Sequence, residues 1–241
     1  MLIERIAYSN RWRQAHPVAK LLFCVSGITA GYMAPTAQNG AAVAIVMGIA
    51  LVFGAGVEFR QYLKVALPPM FFLLISLAVV AFSFNGLPTV TGEGLQQAAR
   101  LGSRAVAAFS SLQFLALTTP MNQIIGILQQ LRCPAMLLDI MVVSYRMLSV
   151  FADTIHDVRT AQTARMGYST YQASIRSMGG ILGNLAAQSL YRSTELHNAA
   201  LARNNCGPLL FLETRYKNPV RDISISAIAG SIMLALVIFL R

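Results

Sequence analysis

The sequence predicts an all-α integral membrane protein, with about five transmembrane helices and a cytoplasmic region of long amphipathic helices. Hydrophobic residues make up 56% of the 241 residues and charged residues only 12%, whereas soluble domains have about 45–50% and about 25%. Several uncharged stretches are long enough to cross about 30 Å of hydrocarbon. Basic residues lie at the ends of these stretches or between Arg132 and Arg221, which is how charge sorts across a bilayer.

The net charge of +10 would suggest nucleic-acid binding in a soluble protein. Here the basic residues border apolar stretches, which favours the lipid bilayer as the partner, and no nucleic-acid partner is predicted. The three cysteines, Cys24, Cys133 and Cys206, are far apart and form no Cys-x-x-Cys motif. They indicate free thiols rather than a disulfide framework or a zinc site.

The first half of the chain contains three uncharged stretches that predict transmembrane helices, Leu21–Ala34, Gly40–Val57 and Val65–Phe84. The basic lead before the first stretch is also compatible with a signal peptide, but further spans follow at once, which favours a first span. The third stretch opens with Pro68 and Pro69, which a helix tolerates near its start because the first N–H groups have no intrahelical partner.

The membrane orientation is predicted from the distribution of basic residues. The segments before the first stretch and after the second are basic, whereas the turn from Asn85 to Gly94 has no Lys or Arg. Because basic residues stay on the cytoplasmic side, the N-terminus is predicted to be cytoplasmic and the loops around Pro35 and Pro88 to lie outside. The predicted location is the bacterial inner (cytoplasmic) membrane.

A fourth helix is predicted over Leu95–Thr118, with Arg100 and Arg104 near its start. Two interpretations of these arginines remain open. They can reach out to the membrane interface as anchors, which is the favoured interpretation, or they can pair within the helix bundle.

The next helix is predicted to begin with Thr119 as N-cap and Pro120 as its first residue. Pro134 disfavours helical geometry at Cys133 and should interrupt it. The helix should resume over Ala135–Met166, and Gly167 should close it in a left-handed conformation. Its apolar residues recur every three or four positions, with charged residues on another face, so the helix is predicted to be amphipathic rather than spanning.

A second amphipathic helix is predicted over Ser174–Ala202, ending before Asn204, and a last span over Ile223–Leu240. The predicted organisation therefore has three segments. Residues 1–118 hold the lead and four spans, residues 119–222 the cytoplasmic helices, and residues 223–241 the last span.

Catalytic motifs are scarce in the sequence. There is no phosphate-binding Gly-x-x-x-x-Gly-Lys-Ser/Thr, no His-Glu-x-x-His and no Gly-x-Ser-x-Gly. No catalytic residue, metal ligand or bound cofactor is therefore predicted. An alternative is a membrane enzyme that uses Asp153, His156 and Asp157 on one helix, although a further ligand is not evident. The other alternative is a self-contained channel or secondary carrier, which would need ionisable groups near the bilayer midplane.

Both cytoplasmic helices end in an Ala-Arg pair, Ala164-Arg165 and Ala202-Arg203. A single arginine at a helix C-terminus complements the helix dipole and contributes about 0.3–1 kcal/mol. Two such ends on successive helices, each with a small alanine before the arginine, suggest tips that insert a guanidinium into a partner.

These features together resemble the transmembrane T component of energy-coupling factor transporters, in particular the CbiQ type associated with cobalt and nickel uptake. The residues that carry the resemblance are Asn10-Arg11-Trp12-Arg13, His16-Pro17, Lys20, Thr118-Thr119-Pro120, Tyr145-Arg146 and the two Ala-Arg-x motifs. The resemblance implies that Arg165 and Arg203 are coupling residues that dock into two nucleotide-binding ATPase subunits.

The resemblance also implies the remaining expectations. The chain would be a non-catalytic coupling subunit of an ATP-driven uptake transporter, with ATP used by its partners. A separate CbiM-like membrane subunit would bind the substrate, for which cobalt, then nickel or a vitamin, is implied. The family's usual Ala-Arg-Gly is replaced here by Ala164-Arg165-Met166 and Ala202-Arg203-Asn204, so the geometry of both tips is the open point.

Overall fold

The computed structural model describes residues 2–83, 89–90, 92–204 and 219–239. Its helices are α1 (Leu2–Ser9), α2 (Pro17–Met33), α3 (Ala37–Ile49), α4 (Phe59–Ala81), α5 (Gly92–Thr118), α6 (Met121–Gln130), α7 (Ala135–Ala164), α8 (Tyr171–Ala202) and α9 (Pro219–Phe239). A 3₁₀ turn covers Arg11–Gln14, and a π-helical turn, Ala50–Gly54, extends α3. Two short strands, β1 (Phe82–Ser83) and β2 (Thr89–Val90), pair antiparallel before α5.

The chain divides into two compact units. The bundle unit comprises Met1–Ile127 and Glu213–Arg241, and the hairpin unit comprises Leu128–Leu212. The division falls inside α6, whereas the predicted segments 1–118, 119–222 and 223–241 were drawn by membrane side. Those segments stay a prediction.

Helix α5 is the centre of the bundle unit, where it packs against α1, α2, α3 and α4, and α2 also packs against α9. Small residues let the backbones approach closely. A Cβ on Gly31 would lie 2.7 Å from Cβ of Ala107, and one on Gly40 would lie 2.7 Å from Oγ of Ser103. Interfaces of this kind hold membrane helices together because lipid gives no hydrophobic driving force between them.

The hairpin unit is built differently. Helices α7 and α8 contact each other, but Leu138 is the one buried residue of α7, and none is buried in α8. Apolar side chains along both helices are exposed, including Met136 (76%), Leu182 (68%) and Leu190 (72%). Most of the apolar surface of these two helices is therefore not covered within the described part of the chain.

The all-α membrane fold is confirmed, with differences in the bounds of the helices. By length and apolar composition, α3 with its π turn, α4, α7 and α9 could each cross a membrane, and α2 is a shorter apolar helix. The polar helix α5 does not meet that criterion. Helix α7 meets it because its first five turns carry only Asp139 and Arg146 as charges, so its assignment to the cytoplasm stays a prediction.

The position of the proline pair was predicted wrongly. Helix α4 begins at Phe59, so Pro68 and Pro69 lie inside it rather than at its start. The reason is that the Glu58 carbonyl accepts hydrogen bonds from the N–H groups of Gln61 (2.9 Å) and Tyr62 (3.0 Å). The basic residues Arg60 and Lys64, between the second and third predicted stretches, therefore lie in the first two turns of the helix.

The predicted N-cap at Thr119 is also wrong. The carbonyl of Pro120 accepts from the N–H groups of Gln123 (2.9 Å) and Ile124 (3.4 Å), so Pro120 itself takes the cap position. Oγ1 of Thr119 is buried and has no hydrogen-bond partner among the described residues. The predicted interruption at Pro134 is confirmed, because it separates α6 from α7.

Helix α8 begins at Tyr171, three residues before the predicted Ser174, because Thr170 Oγ1 caps it by accepting from the Ala173 N–H (3.3 Å). Helix α1 and the 3₁₀ turn within the lead were not predicted. The predicted features at Asn85, Pro88, Asn205, Cys206, Gly207, Pro208, Lys217 and Leu240 lie outside the described residues.

Candidate functional site

The ends of α7 and α8 have the same backbone geometry. Arg165 and Arg203 are the C-cap residues, with φ/ψ of −93°/18° and −95°/9°. The residue after each arginine is left-handed, with φ of 54° at Met166 and 53° at Asn204. The third position of each motif, where the resemblance implies glycine, is therefore the position at which glycine is favoured.

The end of α7 is a Schellman motif. The Gly167 N–H donates to the carbonyl of Gln162 (2.8 Å), and the Met166 N–H donates to that of Thr163 (3.1 Å). The predicted left-handed cap at Gly167 is therefore wrong, because Met166 takes that conformation. Gly167 serves close packing instead, since a Cβ there would lie 2.7 Å from Oγ of Ser177 and 2.9 Å from the Gln162 carbonyl.

Three side-chain hydrogen bonds brace this first tip, and two of them join it to α8. Gln162 Nε2 donates to the carbonyl of Ser177 (3.0 Å), and Ser177 Oγ donates to that of Gly167 (2.8 Å). The hydroxyl of Tyr168 donates to Gln162 Oε1 (2.8 Å). Sequence analysis assigned no role to Gln162 or Ser177, because no spacing rule links residues on two different helices.

The side chains of the two tips are exposed in the described structure. Ala164, Arg165, Met166, Ala202, Arg203 and Asn204 are all exposed. Among the described residues, neither guanidinium has a side-chain hydrogen bond or an ion pair. Both are thus available to a carboxylate or to backbone carbonyls of another protein.

The residues of the enzyme alternative do not form a site in the described structure. Asp153, His156 and Asp157 are exposed on α7. Across residues 2–83, 89–90, 92–204 and 219–239, no group of three or more His, Cys, Asp or Glu side chains could hold a metal ion.

The two arginines near the start of α5 differ in their surroundings. The guanidinium of Arg104 donates twice to the carbonyl of Ala34, at 3.0 Å and 3.3 Å, and lies 5.8 Å from the ring centre of Tyr32. Arg100 is exposed. For Arg104 the favoured interpretation as an interfacial anchor is corrected to pairing within the bundle, because the carbonyl at the end of α2 lacks a helical partner.

The lead residues of the resemblance lie beside the end of α5. Asn10 Nδ2 donates to the carbonyl of Leu117 (2.9 Å), and Lys20 Nζ donates to that of Thr118 (2.9 Å) and to Gln123 Oε1 (3.2 Å). Both side chains are buried. These residues, distant in sequence, are thus brought together to cap one helix.

Comparison with known proteins shows the family to which the chain is similar. The family model for CbiQ, described as a cobalt transport protein, matches residues 9–208, which include the lead, the end of α5 and both tips. The cobalt transport protein CbiQ of Rhodobacter capsulatus is 33% identical over 217 residues, which cover 88% of each chain.

Two further relatives extend the comparison. An uncharacterized protein of Methanocaldococcus jannaschii is 25% identical over 229 residues, covering 90% of this chain and 85% of the relative. A putative fused cobalt transport protein CbiMQ of Methanocorpusculum labreanum is 30% identical over 189 residues, covering 73% of this chain and 32% of the relative. With several apolar helices and a family match over most of its length, this multi-pass membrane protein belongs to the CbiQ family of cobalt transport proteins.

Proposed function

We propose that the chain is the energy-coupling transmembrane subunit of an ATP-driven cobalt uptake transporter. In this role it transmits the motions of two ATPase subunits to a separate membrane subunit that binds the substrate. The chain itself carries out no ATP chemistry and binds no cofactor, since ATP is used by the partners. Family membership and the names of the relatives support a role in cobalt transport.

The observation that carries the proposal is the matched pair of helix tips. Arg165 and Arg203 share C-cap backbone angles, are each followed by a left-handed residue, and are both exposed. Two equivalent tips on one chain suit two equivalent receptors, as a pair of ATPase subunits would offer. Small Ala164 and Ala202 before the arginines would let the tip enter a groove.

The energetic difference between docking and capping is large enough to test. Truncating an arginine that makes a buried, charge-assisted contact across an interface costs about 2–5 kcal/mol, partly because the partner group is left unpaired. An exposed arginine that only complements a helix dipole contributes under about 1 kcal/mol. Loss of both docking contacts would therefore weaken ATPase binding by orders of magnitude.

The experiment is the double variant Arg165→Ala/Arg203→Ala in the assembled transporter. We expect loss of ATPase copurification or of ATP-dependent uptake of radioactive cobalt, with the subunit still folded in the membrane. Arg176→Ala is the matched control, because Arg176 is an exposed arginine on α8 that belongs to neither Ala-Arg motif. A double variant that assembles and transports like the parent would refute the docking role.

We further propose a CbiM-like partner as the substrate-binding subunit. The support is the fused relative, whose name joins the two proteins in one chain. The exposed apolar sides of α7 and α8 offer surface for contacts with partner subunits or lipid. We expect a CbiM-like protein to copurify with the tagged chain in mild detergent. Recovery of the same amount of the CbiM-like protein when this chain carries no tag would count against the interaction.

The proposed location is the inner membrane, with the N-terminus and both tips in the cytoplasm. The support is the excess of basic residues in the lead and in residues 119–222. A single cysteine at Gly92, in a cysteine-free background, should react with an impermeant thiol reagent in intact spheroplasts, and one at Arg165 should react only after permeabilisation. The reverse labelling pattern would show that the chain has the opposite orientation in the membrane.

A further inference from the structure

A cleft of about 670 Å³ opens on the bundle unit between the lead, α2, α5 and α9. Its wall is mostly apolar and includes Trp12, Phe23, Phe114, Ile225 and Ala229. The volume falls within the range of about 300–1,000 Å³ that is usual for small-molecule sites. The proposed coupling role uses none of this surface.

One end of the cleft is charged. Arg11, Lys20 and Arg221 line it together with the single carboxylate of Asp222, so three cations face one anion. Asp222 Oδ2 accepts the backbone N–H of His16 (3.2 Å).

The three cations differ in what already binds them. The ammonium of Lys20 donates to the Thr118 carbonyl and to Gln123. The side chains of Arg11 and Arg221 are exposed and have no hydrogen bond or ion pair among the residues that the structure describes. Two exposed guanidinium groups thus line the cleft together with its apolar wall.

The charged end lies at the edge of two apolar helices. The contact of His16 with Asp222 and the close approach of Ser26 to Gly230 show that α2 and α9 run parallel. Both helices therefore begin at the same level, next to Arg11 and Arg221. In a membrane the guanidinium groups would lie at the headgroup level, and the apolar wall would extend into the hydrocarbon.

We infer that this cleft binds an anionic phospholipid, with its phosphate between Arg11 and Arg221 and an acyl chain along the apolar wall. Basic pockets between transmembrane helices on the cytoplasmic side bind phospholipid headgroups in this way. Each basic residue at such a surface contributes about fivefold to the preference for an anionic lipid, so two give about thirtyfold.

The chain carries its own reporter, because its single tryptophan, Trp12, lines the cleft. Phospholipids with brominated acyl chains quench tryptophan fluorescence on contact. In detergent micelles, brominated phosphatidylglycerol should quench Trp12 at about thirtyfold lower mole fraction than brominated phosphatidylcholine. Arg11→Gln/Arg221→Gln should bring the two lipids close to parity.

Arg60→Gln/Lys64→Gln is the matched control, because it removes the same charge from exposed positions at the start of α4. It should keep the preference, which separates a site from general attraction to a basic surface. An unchanged emission maximum of Trp12 in both double variants checks that the fold is kept.

Three results would overturn the inference. One is equal quenching by the two lipids in the parent, which would mean an apolar groove without headgroup recognition. Another is release of the lipid by inorganic phosphate at equal concentration, which would mean an anion site only. The third is that neither lipid quenches Trp12 and that the cleft is shielded from solvent only when a partner subunit is bound. That result would mean that the cleft is a subunit contact.

Discussion

The two units close the C-termini of their helices in different ways. In the bundle unit, side chains from distant parts of the chain reach the free carbonyls, as Lys20 does at Thr118 and Arg104 does at Ala34. In the hairpin unit, a left-handed residue after each arginine turns the chain and, at the end of α7, satisfies the carbonyls with backbone N–H groups. Lys20 and Arg104 thus bind their own protein, whereas Arg165 and Arg203 make no side-chain hydrogen bond or ion pair among the described residues.

A Lys or Arg near a helix end is available to a partner where other groups already bind the free carbonyls. Every helix leaves carbonyls without helical partners at its C-terminal end, and a nearby Lys or Arg is usually explained by that need. Because backbone N–H groups already bind the carbonyls at the end of α7, the exposed Arg165 is free for another interaction. The same reasoning makes Lys20 and Arg104 structural, although both are ionisable groups on helices of a membrane protein.

The largest effect that would test this comparison is expected at Lys20. Lys20→Met removes a charge-assisted hydrogen bond and leaves the buried Thr118 carbonyl unpaired, which should cost about 1.5–3 kcal/mol. The thermal unfolding midpoint in a fixed detergent should fall by about 3–12 °C. Arg165→Met makes the same change at a tip and should lower it far less, because that guanidinium is exposed. Equal decreases of the unfolding midpoint at the two positions would show that the bound and the exposed cation do not differ in this way.

The glycines give the next test, with effects of opposite sign. Gly40→Ala should destabilise the bundle by about 1–3 kcal/mol, because its Cβ would lie 2.7 Å from Oγ and 2.9 Å from Cβ of Ser103. Gly183→Ala should stabilise α8 by about 0.5–1 kcal/mol, because nothing lies within 4 Å of that Cβ. Thermal unfolding of the two variants under one condition measures both, and a destabilised Gly183→Ala would indicate packing at that face.

The left-handed residue of the first tip is the third test. A residue with a Cβ is less stable in this conformation by about 1–2 kcal/mol, and Met166 adopts it at φ 54°. Met166→Gly should therefore raise the thermal unfolding midpoint of the isolated subunit. Met166→Ala is the control, since it shortens the side chain but keeps the Cβ. A Met166→Gly variant no more stable than Met166→Ala would contradict the left-handed geometry.

The smallest effect is expected at the second tip. Asn204 adopts the same conformation at φ 53°, but asparagine tolerates it because its short polar side chain can bond locally. Asn204→Gly should therefore raise stability by less than Met166→Gly does, under about 1 kcal/mol. Comparison with Met166→Gly in the same thermal unfolding assay checks the order, and a larger gain at Asn204 would reverse the explanation given for the two motifs.

The sequence predicted the long helices well because apolar stretches and prolines act locally. The break at Pro134 and the end of α8 at Ala202 follow from residues within a few positions. Helix beginnings were less predictable. Glu58 occupies the cap position of α4, and Pro120 rather than Thr119 occupies that of α6. In both cases several neighbouring residues could take the cap position, and the one that does decides where the helix begins.

The pair of candidate tips could be found in the sequence because Ala-Arg recurs at the ends of two amphipathic helices. The hydrogen bonds that brace the first tip could not be found in this way. Gln162 contacts Ser177 across the hairpin, and nothing in the local pattern distinguishes this glutamine from an exposed one. The cleft beside Trp12 was likewise invisible, since its walls come from segments about two hundred residues apart.

By itself, the sequence determined that the chain is helical and lies in a membrane, and where two arginines end helices, because hydropathy and helix signals are properties of short segments. Only the tertiary structure decided which cations are bound within the chain. Lys20 and Arg104 meet carbonyls 98 and 70 residues away, and such distances close only when the helices pack. The left-handed turns at Met166 and Asn204 were likewise decided by the folded chain, because neither side chain requires that conformation.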